Sequence, residues 1–105
     1  MSDIFCVYAL YPGADAAKAS ARIAVEECLA ACANILAPCT SIYEWEGDLR
    51  EESEVPVLFK TSARRRDALI ARLAQLHPYD TPAIVAWSVD EAHVPFANWV
   101  NEQTS

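Results

Sequence analysis

Apolar and polar positions along this chain follow two periods, and the switches between them mark the elements. Residues 4–11 read IFCVYALY, rich in aromatic and β-branched types, and predict a strand. Its alternation puts Phe5, Val7, Ala9 and Tyr11 on one face and Cys6, Tyr8 and Leu10 on the other. Pro12 and Gly13 end it, and Asp15 stands where a helix cap is wanted. From residue 16 to about 33 there is no Gly or Pro and much alanine, so one long helix is expected. Ala17, Ala21, Ala24, Cys28 and Cys32 make a ladder of small residues along it, opposite the charged ladder Lys18, Arg22 and Glu26. Residues 34–46 read as extended, with a bulge or bend at Ala37-Pro38 because proline removes a donor from a sheet.

Residues 41–61, SIYEWEGDLREESEVPVLFKT, organise the rest. Tyr43 and Trp45 alternate with Ile42, Glu44 and Glu46, as in a strand. Gly47-Asp48 supplies the turn, residues 49–53 form a charged crossover, and residues 55–59 return as a strand, with Pro56 hinting at an edge or bulge. Ser62 is the expected cap of a helix over 63–76, whose apolar face is Leu69, Ile70, Leu73 and Leu76. Pro78 forbids its continuation, and residues 78–82 make a stiff loop. A last strand is expected over 83–89, with Ile84 and Ala86 opposite Val85 and Trp87. A short helix follows over 94–101, carrying Phe96, Trp99 and Val100.

The order is strand, helix, strand, strand, helix, strand, short helix. That order predicts an α+β fold of the split βαβ, ferredoxin-like kind, one domain over residues 1–105 with two helices on one face of a four-stranded antiparallel sheet. The other face carries apolar side chains with no helix to cover it. With 53 % apolar residues in 105, that surface predicts an oligomer.

The net charge of −7, with basic residues clustered only at Arg64, Arg65 and Arg66, argues against nucleic acid and anionic membranes as partners. It suits cations or small metabolites. No apolar run approaches the roughly 18 residues of a membrane span. Met1-Ser2-Asp3 lacks the basic region of an export signal, so Cys6, Cys28, Cys32 and Cys39 are expected as reduced thiols in the cytoplasm.

Candidate chemistry is sparse. His77, at a helix end, could ligate copper or zinc, or could cap the last helical carbonyls. Cys28 and Cys32, four apart on a helix, could grip Cu(I) or zinc, but their place on the small-residue ladder favours core packing. The carboxylates of Glu44, Glu46, Asp48, Glu51, Glu52 and Glu54 crowd the hairpin, where hard divalent ions or mere solvation are the alternatives. His93 reads as an exposed loop histidine, and the three arginines as a solvated turn in preference to an anion site. No GxSxG, HExxH, P-loop or GxGxxG pattern occurs, and no enzymatic activity is expected.

Several stretches together resemble the CutA, or divalent-cation tolerance, family. They are AACANI from Ala30, TSIYEWEG from Thr40, Ser53-Glu54-Val55, Lys60-Thr61, HPYDTP from His77 and the final FANWV. The resemblance spans nearly the whole chain. It implies a tight homotrimer of ferredoxin-like subunits packed through their sheets and hairpins, and architectural kinship with PII-like sensors that bind ligands between subunits. It implies a role in the response to divalent metal ions, with weak binding of Cu(II) or another divalent cation at His77. Such a ligand cleft between subunits would be built from Tyr43, Trp45, Glu46, Glu54, Lys60 and Tyr79, with His77 beside it; the alternative is that Tyr43 and Trp45 are interface core only. The family's copper-binding cysteine on the first strand aligns with Ala9 here. Cys6 lies three residues earlier, on the opposite strand face.

Overall fold

The structure, a computed structural model, describes residues 3–105; Met1 and Ser2, which begin the N-terminal stretch read above for an export signal, lie outside them. The centre of the sheet is β1, Ile4–Tyr11. Its residues Val7, Ala9 and Tyr11 are fully buried, as their shared face requires. The chain then forms α1 (Ala14–Glu26), β2 (Cys32–Ile35), β3 (Cys39–Trp45), β4 (Asp48–Ser62), α2 (Arg66–Leu76), β5 (Ile84–Ser88) and α3 (Val94–Gln103). All five strands pair antiparallel in the order β2-β4-β1-β5, with β3 continuing along β4 beyond β2. This is the expected split βαβ order, with the second strand broken in two.

The core lies between the sheet and the first two helices. Ala17, Ala21 and Ala24 of α1 and Leu69 and Leu73 of α2 pack on Val7, Ala9, Tyr11, Val57 and Phe59. Small side chains on α1 let its backbone lie close to the sheet, so the alanine ladder is a packing device. The bidentate Arg72–Glu27 pair, both bonds 2.9 Å, ties α2 to the end of α1. On the opposite sheet face only one end is covered, where Val100 of α3 meets Ile4 and Ala31. The Thr104 hydroxyl donates to Ser62 there at 2.9 Å, and Arg65 Nε donates to the Thr104 carbonyl at 2.9 Å. Of the three arginines, Arg64 is exposed, as in a solvated turn, while the other two are engaged. Arg65 anchors the C-terminus, and Arg66 lies 4.5 Å over the Phe5 ring and pairs with Asp67.

Five local expectations are corrected. The first helix ends at Glu26, seven residues early. Cys28 adopts φ 59°, and the N–H groups of Cys28 and Leu29 bond the carbonyls of Val25 and Ala24. That is a Schellman ending with cysteine in the position usually held by glycine; the Ala30 N–H also bonds the Ala24 carbonyl, and the Ala31 N–H bonds the Lys60 carbonyl of the sheet. Helix propensity in alanine yields here to sheet pairing and burial of Ala30 and Ala31. Gly13, not Asp15, is the N-cap of α1, and Arg65, not Ser62, that of α2. Ser62 instead ends β4. The hairpin turn is Glu46-Gly47, both left-handed at φ 51° and 85°, the signature of a type I′ turn. Residues 49–53 are the outer part of β4, paired with β3, and not a crossover.

Candidate functional site

At the far end of the uncovered face, β4 outruns its neighbour. Its last pair with β1 is Val55 with Tyr11, and from Glu54 outward it pairs only with β3. In this corner lies a cavity of about 670 Å³, within the range of small-molecule sites. Leu10 of β1 and Glu52 and Glu54 of β4 line its base. Ser41, Tyr43 and Trp45 of β3, which alternate onto one strand face, form a wall with Arg50. The facing wall is the loop from Tyr79 through Asp80 and Thr81 to Ala83.

His77 builds that loop wall. As the residue before Pro78 it is extended, φ −74° and ψ 139°, which ends α2 at Leu76. The residue is 7 % exposed. Nε2 donates to the Leu10 carbonyl at 2.6 Å, and Nδ1 accepts the Tyr79 N–H at 3.2 Å. These partners require the neutral ring protonated on Nε2. The ring also stacks on Tyr11, centroids 4.7 Å apart, and touches Tyr79 at 4.9 Å. Neither nitrogen keeps a lone pair for a metal ion. The imidazole clamps β1 to the loop and fixes Tyr79; it caps no helical carbonyl.

The electrostatics of the cavity are acidic. Glu52, Glu54 and Asp80 face one arginine, Arg50. Tyr43 donates its hydroxyl to Glu52 across the hairpin diagonal. This bond, with smaller contributions from burial and from Glu54, raises the Tyr43 pKa. Burial raises that of Tyr79, and the charges on Glu54 and Glu52 add to it. Both phenols therefore stay neutral and present π faces to the cavity. Glu54 is 7 % exposed and makes no ion pair or side-chain hydrogen bond among the described residues.

Four of the residues named from the sequence, Tyr43, Trp45, Glu54 and Tyr79, thus meet here. Two do not. Glu46 sits in the exposed hairpin turn. Lys60 lies six residues along β4 from Glu54, about 20 Å at strand rise, and donates to Asn34 at 2.7 Å. Sequence reasoning missed Leu10, Ser41, Arg50, Asp80 and Thr81. Ser41 and Arg50 carried a usable signal, since hairpin register places them on the face of Tyr43 and Trp45.

The donor sets proposed for metals do not assemble within one chain. Cys28 is exposed past the end of α1, while Cys32 is in β2, so the helical thiol pair does not exist. Ala9 is fully buried under the helices, and Cys6 points to the other sheet face. His93 is exposed at the start of α3. Among the described residues no three His, Cys, Asp or Glu side chains stand close enough to hold a metal ion. No helix of the described residues is long and apolar enough to cross a membrane.

Known proteins share this architecture and sequence. The CutA protein of Mus musculus is 39 % identical over 93 residues, 89 % of this chain, but the chain spans only about half, 52 %, of that protein's length. The divalent-cation tolerance protein CutA of Thermus thermophilus is 40 % identical over 93 residues, covering 89 % of this chain and 90 % of that one. The crystal structure of CutA from Xylella fastidiosa superimposes with a TM-score of 0.96 at 33 % identity, over 99 % of this chain and 100 % of that one. The sequence pattern of the family described as "CutA1 divalent ion tolerance protein" matches residues 5–103, from the first strand through the last helix, and the chain belongs to that family.

Proposed function

We propose that this protein is a non-enzymatic, homotrimeric component of the response to divalent metal ions, working in the cytoplasm, and that its ligand seat is the cavity at the base of the β3–β4 hairpin. Family membership supports the role in cation tolerance. The observation that carries the site is Glu54, a nearly buried, unpaired carboxylate lining an acidic, aromatic-walled cavity. A divalent ion such as Cu(II) is held there weakly, through carboxylate oxygens and water, and not by His77, whose nitrogens are both engaged. Trimer formation is supported by the sheet face that α3 leaves bare, where Val85 and Trp87 are exposed, and by the exposed Ile42 and Leu49 of the hairpin.

Titration calorimetry of Cu(II) into the wild type and Glu54→Gln tests the site. The wild type is expected to bind weakly, and the variant several-fold more weakly. Equal heats would remove the cavity as the cation's seat. Light scattering tests the assembly: a monomer at micromolar concentration would end the trimer reading.

A further inference from the structure

The cavity has more structure than a cation attractor needs. We infer that its preferred ligand is an organic cation, a primary ammonium or guanidinium group on an apolar carbon body, seated against Glu54 between the rings of Tyr43, Trp45 and Tyr79. This rests on the cavity being the ligand seat proposed above, and names what fills it.

Three observations converge. First, the charge is one-sided: three carboxylates face one guanidinium, so the cavity disfavours anions. Glu54 is 7 % exposed and has no ion-pair partner among the described residues, and its oxygens keep contact with the solvent of the cavity, where a cation can reach them. Second, the carboxylates are too dispersed to surround a bare ion, since no three acidic, His or Cys groups converge among the described residues. A metal ion needs several oxygens within about 2.6 Å. An ammonium on a carbon stem needs one carboxylate and is content with ring faces elsewhere. Third, the walls are aromatic and aliphatic. Leu10 and Ala83 accompany the three rings, surface that a hydrated metal ion does not use and a carbon body does. His77 holds Tyr79 in this wall through the Tyr79 backbone and ring contact, so that ring is placed before any ligand arrives.

The test uses nuclear magnetic resonance of the indole N–H groups of the full chain. There are three tryptophans, and Trp45→Leu identifies the signal of Trp45. Phenethylamine, 2-phenylethanol and 3-phenylpropionate present one carbon body with a positive, neutral or negative head. The expected result is a saturable shift of the Trp45 signal with phenethylamine, at least tenfold weaker binding of the alcohol and none of the acid. Glu54→Gln should weaken phenethylamine at least tenfold while leaving the alcohol unchanged. If that variant does not fold, Asp80→Asn and Glu52→Gln, both at exposed positions, replace it, each with a several-fold loss expected. Equal binding of all three probes would overturn the cation preference and leave the cavity as a ligand seat. Cu(II) binding with no response to phenethylamine would overturn this inference alone. Silence of Trp45 to every probe and to Cu(II) would remove both readings.

Discussion

The two halves of β4 are one continuous strand with opposite fates. From Val55 to Ser62 it is flanked by β1 on one side and, from Val57 to Lys60, by β2 on the other, with helices over one face; Phe59 is wholly buried. From Asp48 to Ser53 it has a single partner, β3, and no layer on either face; Leu49 is 78 % exposed. A two-stranded ribbon is marginal in water, so the outer half contributes little to the fold of one chain and much to what that chain can meet. Glu54 stands at the boundary, where the strand leaves the core but remains buried. Sites gather at such boundaries because a rigid scaffold there carries groups the core does not consume.

The sharpest way to break the comparison is to cut large side chains from each half. Phe59→Ala is expected to destabilise by about 3–5 kcal/mol in denaturant unfolding, because its neighbours cannot collapse into the void. In a lone chain, at dilutions below trimer formation, Leu49→Ala should change stability by no more than about 0.5 kcal/mol. A large loss at Leu49 that fades on dilution would show other copies covering the outer half.

Alkali probes the packed half. Tyr11 is sealed in the core, its hydroxyl without a hydrogen bond of ordinary geometry, and burial raises its pKa against a smaller opposing pull from Ser20. Burial raises that of the Cys32 thiol as well, and nearby Lys60 lowers it only in part. In the interval above its ordinary value of 10.0, Tyr11 keeps a proton in the folded state that the unfolded chain has lost. Stability is therefore intact below that value and falls as pH rises through it, by at most about 1.4 kcal/mol per pH unit for one group. Cys32 begins the decline near its ordinary 9.0. Unfolding midpoints that stay level from pH 8 to 11 would contradict this.

The hairpin turn gives a smaller effect in the outer half. Gly47 at φ 85° has open space where a Cβ would stand, so Gly47→Ala meets backbone strain and no clash. About 1–2 kcal/mol is expected, read as faster amide exchange at residues 48–53 with residues 55–61 still protected. Uniform loss along β4 would mean that the two halves open together.

Much of this was legible in the chain. The alternation of β1, the face of α2 and the stop at Pro78 each follow from short-range rules, and each stands where period and proline put it. The end of α1 was not legible, because residues 27–33 favour helix locally and only pairing with Lys60 draws them into the sheet. The outer half of β4 was hidden for the opposite reason: LREES has no apolar alternation, since neither of its faces is buried within the chain.

The sequence by itself determined the order of the elements, the core-facing residues, the acidity and the family. Those properties depend on residue type and on spacing within a few turns. Tertiary structure alone decided which carboxylate is nearly buried, that His77 spends both nitrogens holding a wall, and that Lys60 lies far from Glu54. Each of these depends on where an extended strand outruns its neighbours and which loop packs beside it, and no local pattern records distances between segments remote in the chain.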